Sequence, residues 1–227
     1  MLSTTFSNSK ITAVLFDLDG TLLDTAPDLA GALNALLLAR RSPQLPLTTI
    51  RRKVSEGTAG LLKLGFNVTD QSPIFSGLQQ QFIEYYGQHI CDKTQLFSGI
   101  EELIDYLQKN CLPWGIVTNK SMTLTTKLIE HFALLQKANC IIGGDTLAHN
   151  KPHPKPLLHA CECLVCLPAN CVYIGDSQQD IEAARSAGMR SLVALYGYIP
   201  SEKLAKSWKA NAMMHTPLNI IDWLKQN

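Results

Sequence analysis

The sequence predicts an α/β fold: a doubly wound parallel sheet, with an α-helical segment inserted after the first strand. Three observations carry this prediction. From about Ser98 onward, short apolar runs alternate with helical patterns, as in a sheet covered by helices on both faces. The segment 25–90 breaks that rhythm with helical patterns and no strand signal. Finally, several of the strand-like runs end in short polar motifs, and in an open α/β sheet the ligand site lies beyond the carboxyl ends of the strands.

The first strand is expected over residues 11–16, Ile-Thr-Ala-Val-Leu-Phe, a nearly unbroken apolar run suited to a strand buried on both faces. Within 25–90, Leu29, Leu33, Leu36 and Leu37, and later Phe82, Tyr85 and Tyr86, recur at helical spacing. Ser98 followed by Glu101 has the form of a capping box, opening a helix whose apolar face is Ile100, Leu103, Ile104 and Leu107. A strand over 115–117 follows, then a helix over 121–132, a strand over 140–142 and a helix over 155–165. The chain continues with a strand over 171–174, a helix over 180–187 and a strand over 190–195. The expected division is a core made of 1–24 and 91–227, and a helical domain of 25–90.

Bulk properties exclude several classes. The 227 residues are 46% hydrophobic and 17% charged, ordinary globular usage with no disorder signature. A formal net charge of +1 offers no footprint for nucleic acid or an anionic membrane, so a bound anion must be caught by a local site, as a small phosphorylated metabolite would be. No apolar run approaches the roughly 20 residues of a membrane span, and the N-terminal stretch to Lys10 is polar, without an export signal. Seven cysteines, an odd number, read as reduced thiols, with the cytoplasm as the expected compartment. His159, Cys161, Cys163 and Cys166 offer metal-ligand types, but they sit in an apolar helical pattern that turns Cys161 to the core and Cys163 elsewhere, so no zinc site is read there.

Four motifs carry chemistry. Asp17-Leu-Asp19-Gly20 ends the first strand; alternation puts both carboxylates on one side, and Gly20 permits a sharp turn. Such a pair can divide a nucleophile's task from that of a proton donor, although alone the same string equally suits a calcium loop or a polar turn. Thr118 and Asn119, followed by Lys120, offer a hydroxyl, an amide and backbone N–H groups to a phosphate; taken singly, either residue equally suits a helix N-cap. Lys151, between His149 and Pro152-His153-Pro154, brings an ammonium that can neutralise carboxylate and phosphoryl oxygens; the two histidines are read as solvated loop residues. Asp176, after Gly175, offers a carboxylate to a hard cation, with Asp180 one helical turn away, and Mg²⁺ suits so few carboxylates better than calcium.

Together the four motifs, in this order, resemble the haloacid dehalogenase superfamily over nearly the whole chain. The resemblance implies a Rossmann-like core with a helical cap at 25–90. It implies Asp17 as nucleophile and metal ligand, and Asp19 as general acid/base that also ligates the metal through its backbone carbonyl. Thr118 and Asn119 are implied as phosphate binders, Lys151 as the charge-balancing lysine, Asp176 as metal ligand and Asp180 as its supporting partner in the magnesium site. The presence of Asp19 argues against a dehalogenase. A sugar-phosphate mutase and a non-catalytic phosphate-binding protein remain as alternatives, the latter expected to lack one of these residues.

More finely, Asp24-Thr-Ala-Pro-Asp28-Leu29 and the run 112–120 resemble the phosphoglycolate phosphatase branch, while Trp114 and Tyr196-Gly-Tyr198-Ile199 are also similar to N-acetylmuramic acid 6-phosphate phosphatases. Gly57 and Thr58, in the turn 54–58, are then expected to touch substrate. Glu56 departs from the branch's glycine-rich turn, and an acidic side chain there opposes a carboxylated substrate unless it turns away. A monomer or homodimer is expected.

Overall fold

The computed structural model describes residues 10–227, so the polar N-terminal stretch apart from Lys10 lies outside the described residues. The chain begins with strand β1 (Ala13–Phe16), followed by a two-residue strand β2 (Leu23–Asp24). Four helices come next: α1 (Ala26–Ala39), α2 (Leu47–Arg51), α3 (Gly57–Phe66) and α4 (Phe75–Gln88). Strand β3 (Gln95–Leu96) returns to pair antiparallel with β2, Leu23 opposite Leu96. The helical run therefore leaves and re-enters through one narrow ribbon, and among the described residues it holds no strand between β2 and β3.

The remaining elements alternate: α5 (Ile100–Lys109), β4 (Trp114–Val117), α6 (Met122–Ile129), β5 (Cys140–Ile142), α7 (Lys155–Cys163), β6 (Cys171–Gly175), α8 (Gln178–Ser186), β7 (Arg190–Ala194), α9 (Glu202–Ser207), β8 (Ala212–Met214) and α10 (Pro217–Leu224). The six-stranded sheet has the order β5-β4-β1-β6-β7-β8, parallel throughout. This is the predicted Rossmann-like α/β architecture. Crossing from β1 outward on either side reverses the strand order there, creating the crevice in which such sheets bind ligands.

Alternation along β1 and β6 explains the double layering. Val14, Phe16, Val172 and Ile174 join α5 and α10 in one core, through Leu103, Leu107, Ile220 and Leu224. Ala13, Leu15, Cys171 and Tyr173 join α7 and α8 in another, through Leu157, Cys161, Ala183 and Ala184. Burying each of these leucines fully is worth about 1.5–3 kcal/mol, so a polar side chain at any of them would unseat a helix.

Several local expectations need correction. Ser98 does not cap α5: Gly99 takes the N-cap position at φ 94, a left-handed conformation that disfavours a side chain, and no side-chain cap bond forms. Neither Thr118 nor Asn119 caps α6, whose N-cap is Ser121. Helix α8 begins at Gln178, and Ser177 forms a capping box with Asp180. The ribbon β2–β3 and the edge strand β8 had no sequence signal. No helix among the described residues is long and apolar enough to cross a membrane.

Candidate active site

The candidate site residues line one cavity of about 220 Å³ at the carboxyl end of the sheet: Asp17, Asp19, Thr118, Asn119, Lys151, Asp176 and Asp180 from the sheet side, Gly57 and Thr58 from the helical insertion. Asp17 follows β1 directly, and its backbone N–H donates to the Ile174 carbonyl at 2.9 Å, extending the pairing with β6. Gly20 then turns the chain at φ +86; a Cβ there would sit 2.3 Å from Asp176 Oδ2, so no other residue fits. Gly175 is equally confined, since its Cβ would lie 2.4 Å from the Asp180 carboxyl carbon.

Lys151 is the hub. Its buried Nζ lies 2.8 Å from Asp17 Oδ1, 2.7 Å from Asp180 Oδ1, 2.9 Å from the Val117 carbonyl and 2.7 Å from the Tyr173 hydroxyl. Burial opposes the ammonium's charge, but Asp17 and Asp180 outweigh it and hold its pKa above the ordinary value. Asp17 is pushed up to about 7: burial disfavours its charge more than Lys151 favours it, and Asp180 adds repulsion. Asp176 is raised well above its usual range by burial, then by Asp17 and Asp180.

One carboxylate oxygen from each of Asp17, Asp176 and Asp180 lies within 4.8 Å of the others. Ionised together, these three carboxylates would outnumber Lys151, the one cation among them, which is why Asp17 and Asp176 are pushed up, and hard oxygen donors in that setting fit a divalent cation. The hydrogen bonds to Asp17 and Asp176 fall on one oxygen of each, Oδ1 of Asp17 and Oδ2 of Asp176. Asp180 differs from a direct ligand: Oδ1 accepts from Lys151, and Oδ2 accepts from the Ser177 amide at 3.0 Å and hydroxyl at 2.6 Å. It thereby holds Lys151 and the start of α8. Asp176 Oδ2 accepts from the Tyr198 amide at 2.9 Å and from the Ser55 hydroxyl at 3.2 Å, the latter reaching across from the insertion.

Asn119 is fixed by the loop that carries Lys151. Its side-chain Nδ2 donates to the Lys151 carbonyl at 2.9 Å and to Gln179 Oε1 at 3.0 Å, while its Oδ1 accepts from the Lys151 amide at 3.0 Å. The side-chain amide is thereby committed to the Lys151 loop and has no donor left for a phosphate. Thr118 Oγ1 accepts from the Lys120 amide at 3.2 Å. His149 and His153 stack on each other with centroids 4.3 Å apart and do not line the cavity.

Lys120, named with its motif, and Tyr86, named in a helical pattern, carried no site role in the sequence. Lys120 Nζ sits 3.1 Å from Asp19 Oδ1 and 4.7 Å from the Tyr86 ring centre, at the junction of sheet and insertion. Lys120 belongs to the 118–120 motif, which was the available signal; Tyr86 looked like any helical core residue. Glu56 turns away, its Oε1 held by Lys53 at 2.6 Å on an exposed surface, outside the cavity lining. The far wall of the cavity is apolar: Leu29, Val54, Leu61, Phe82, Ile83 and Leu124.

Residues 14–194 match the family model for haloacid dehalogenase-like hydrolases. A phosphoglycolate phosphatase of Xylella fastidiosa strain 9a5c is 42% identical over 211 residues, covering 93% of this chain and 92% of that protein. An N-acetylmuramic acid 6-phosphate phosphatase of Pseudomonas putida is 35% identical over 93% of this chain and 95% of its own length. Among solved structures, a predicted phosphoglycolate phosphatase from Haemophilus somnus 129PT superposes with a TM-score of 0.84 at 26% identity, covering 95% of this chain and 99% of that one. With that architecture and those relatives, the chain belongs to the haloacid dehalogenase-like hydrolases, as a phosphoric monoester hydrolase of that family.

Proposed function

We propose that the chain is a magnesium-dependent phosphatase working through an aspartyl-phosphate on Asp17, and that its substrate is a small phosphorylated carboxylic acid of the phosphoglycolate class. The carrying observation is the cavity: its lining pairs Asp17 with the buried Lys151 and Asp19 with Lys120, a second largely buried cation, in a volume of about 220 Å³. That volume lies below the roughly 300–1,000 Å³ of sites for drug-sized ligands.

Asp17 attacks phosphorus in line, with its Oδ1 held by Lys151. Asp19, oriented by Lys120 at 3.1 Å, protonates the departing alkoxide and then takes a proton from the water that hydrolyses the acyl phosphate. Lys151 neutralises oxygens of the phosphoryl group, while Asn119 and Asp180 keep its loop and its ammonium in place. Thr118 and the N–H groups leading into α6 are suited to phosphoryl oxygens. Mg²⁺, held by Asp17, Asp176 and the Asp19 carbonyl, would supply charge neutralisation between nucleophile and dianion.

The segment 25–90 acts in this reading as a cap, closing the cavity with Ser55, Gly57, Thr58 and the apolar wall. Lys120 is positioned to meet a leaving-group carboxylate once Asp19 engages the ester oxygen. A second reading, N-acetylmuramic acid 6-phosphate, is favoured by the apolar wall, against which acetyl and lactyl methyl groups would pack; it requires a more open cap.

Steady-state kinetics on phosphoglycolate, N-acetylmuramic acid 6-phosphate and uncharged phosphate esters, with and without magnesium, test this. Phosphoglycolate should give the highest kcat/KM, and Lys120→Met should lower it about 10–100-fold more than that of an uncharged ester. A sugar phosphate preferred by wild type, or equal losses across the panel, removes the substrate assignment.

A further inference from the structure

The other end of strand β6 carries a second constellation. Cys161 in the last turn of α7, Cys166 in the loop after it and Cys171 at the start of β6 recur every fifth residue. Their sulfurs lie within 4.8 Å of one another. The loop is drawn back on itself to achieve this: Val165 adopts φ 52, and the Cys166 amide donates to the Cys161 carbonyl at 3.0 Å. Cys161 and Cys171 are buried in the core formed with α7 and α8, while Cys166 is half-buried and opens to solvent. None of the three is in a disulfide.

We propose that Cys161, Cys166 and Cys171 form a thiolate site for a thiophilic d¹⁰ cation such as zinc, separate from the carboxylate site. Zinc bonds thiolate sulfur at about 2.3 Å, which in a tetrahedral arrangement sets the sulfurs about 3.8 Å apart, within reach of the observed grouping. Sulfur donors select such cations, whereas the carboxylates near Asp17 select hard ones, so the two sites need not compete. The half-buried edge at Cys166 supplies an entry path and room for a solvent ligand. Binding exchanges the thiol protons for the cation and releases them to solvent. Since Asp176 follows the far end of β6, about 16 Å along the strand, the site acts as a staple between α7 and β6 and not as part of the catalytic cavity. Of the sequence cluster His159, Cys161, Cys163 and Cys166, only Cys161 and Cys166 belong to this group; Cys163 is exposed, its sulfur 4.0 Å from the His159 ring nitrogen.

The test titrates cadmium into the reduced, chelator-treated full chain in excess magnesium, following thiolate-to-cadmium charge-transfer absorbance. One cadmium per chain should saturate the band, and zinc should displace it. Cys166→Ser should lose about a third of the intensity and at least about tenfold in affinity, while Cys163→Ser changes neither. If Cys166→Ser fails to fold, alkylation of the wild type decides: cadmium should protect Cys166 and leave the exposed Cys111 reactive. A folded, reduced wild type without the band, a band unchanged in Cys166→Ser or lost in Cys163→Ser, or protection equal at both thiols or absent from both overturns the site.

Discussion

Asp17 ends a strand in a buried position, beside two further carboxylates, and burial pushes its pKa from 3.8 up to about 7. Between those values the folded, metal-free chain keeps a proton that the unfolded chain has released, so this group makes the protein less stable as pH rises from about 4 to about 7. Denaturant midpoints in chelator should therefore fall across that window. Asp17→Asn should flatten the fall, and identical slopes would contradict the account. The same substitution should reduce turnover by more than about 10³-fold, because it removes the nucleophile; more than a tenth of wild-type rate surviving rules that role out. Lys151 has the opposite character. Lys151→Met strands Asp17 and Asp180 without a counter-charge, and should cost about 3–5 kcal/mol of stability, read from urea midpoints at pH 7.5 or above. A loss under 1 kcal/mol would mean that water or rearrangement replaces the pair.

Helix α1 illustrates how an element is secured from outside its own sequence. Thr25, its N-cap, makes no side-chain cap bond, and Pro27 follows in the first turn. The Ala26 amide instead donates to the Tyr198 hydroxyl at 2.9 Å, and that hydroxyl also lies 3.0 Å from Asp24 Oδ1. Arg51 of α2 completes the junction, 2.9 Å from Asp24 and stacked over the Tyr198 ring at 5.1 Å. Because the Tyr198 amide also binds Asp176, one residue ties the proposed metal ligand to the root of the insertion. Tyr198→Phe should cost about 1–3 kcal/mol, the penalty of leaving the buried Ala26 N–H unsatisfied. Equal unfolding midpoints for the variant and wild type would show that Ala26 finds another acceptor. The Ser55 to Asp176 bond is the corresponding tie from the 54–58 turn.

For the whole molecule, excess negative charge in the cavity predicts that chelation silences turnover reversibly, and that magnesium restores it while calcium, with a larger and looser shell, restores little. Full activity after chelation would refute the metal requirement. Binding of magnesium should also raise the thermal midpoint, since the ion relieves repulsion among Asp17, Asp176 and Asp180 that the unfolded chain does not feel. The magnesium-dependent shift should shrink as pH falls below about 7, where Asp17 holds its proton.

Much of this was legible in the sequence because it is local. Strands buried on both faces must be continuously apolar, so β1, β4 and β6 announced themselves, and the polar residues ending them marked the carboxyl edge of the sheet. The helical run between β2 and β3 was equally plain from its period. Short elements without that signal were not: β8 is three residues, Ala-Met-Met, at the sheet edge, and β2 and β3 exist only because each finds the other across the insertion. The partners of the polar side chains were decided by tertiary contact. Sequence spacing put Asp180 near the proposed metal site as a supporting group; that its oxygens bind Lys151, 29 positions away, and Ser177 appears only in the fold. Asn119 turned its amide to the Lys151 backbone, Glu56 swung out to Lys53, and Tyr198 reached Ala26 across 172 residues of chain. Residue type and local period specify which elements form and which groups are available; which partner each buried polar group takes depends on long-range packing, because every such group must find a partner wherever the fold brings one.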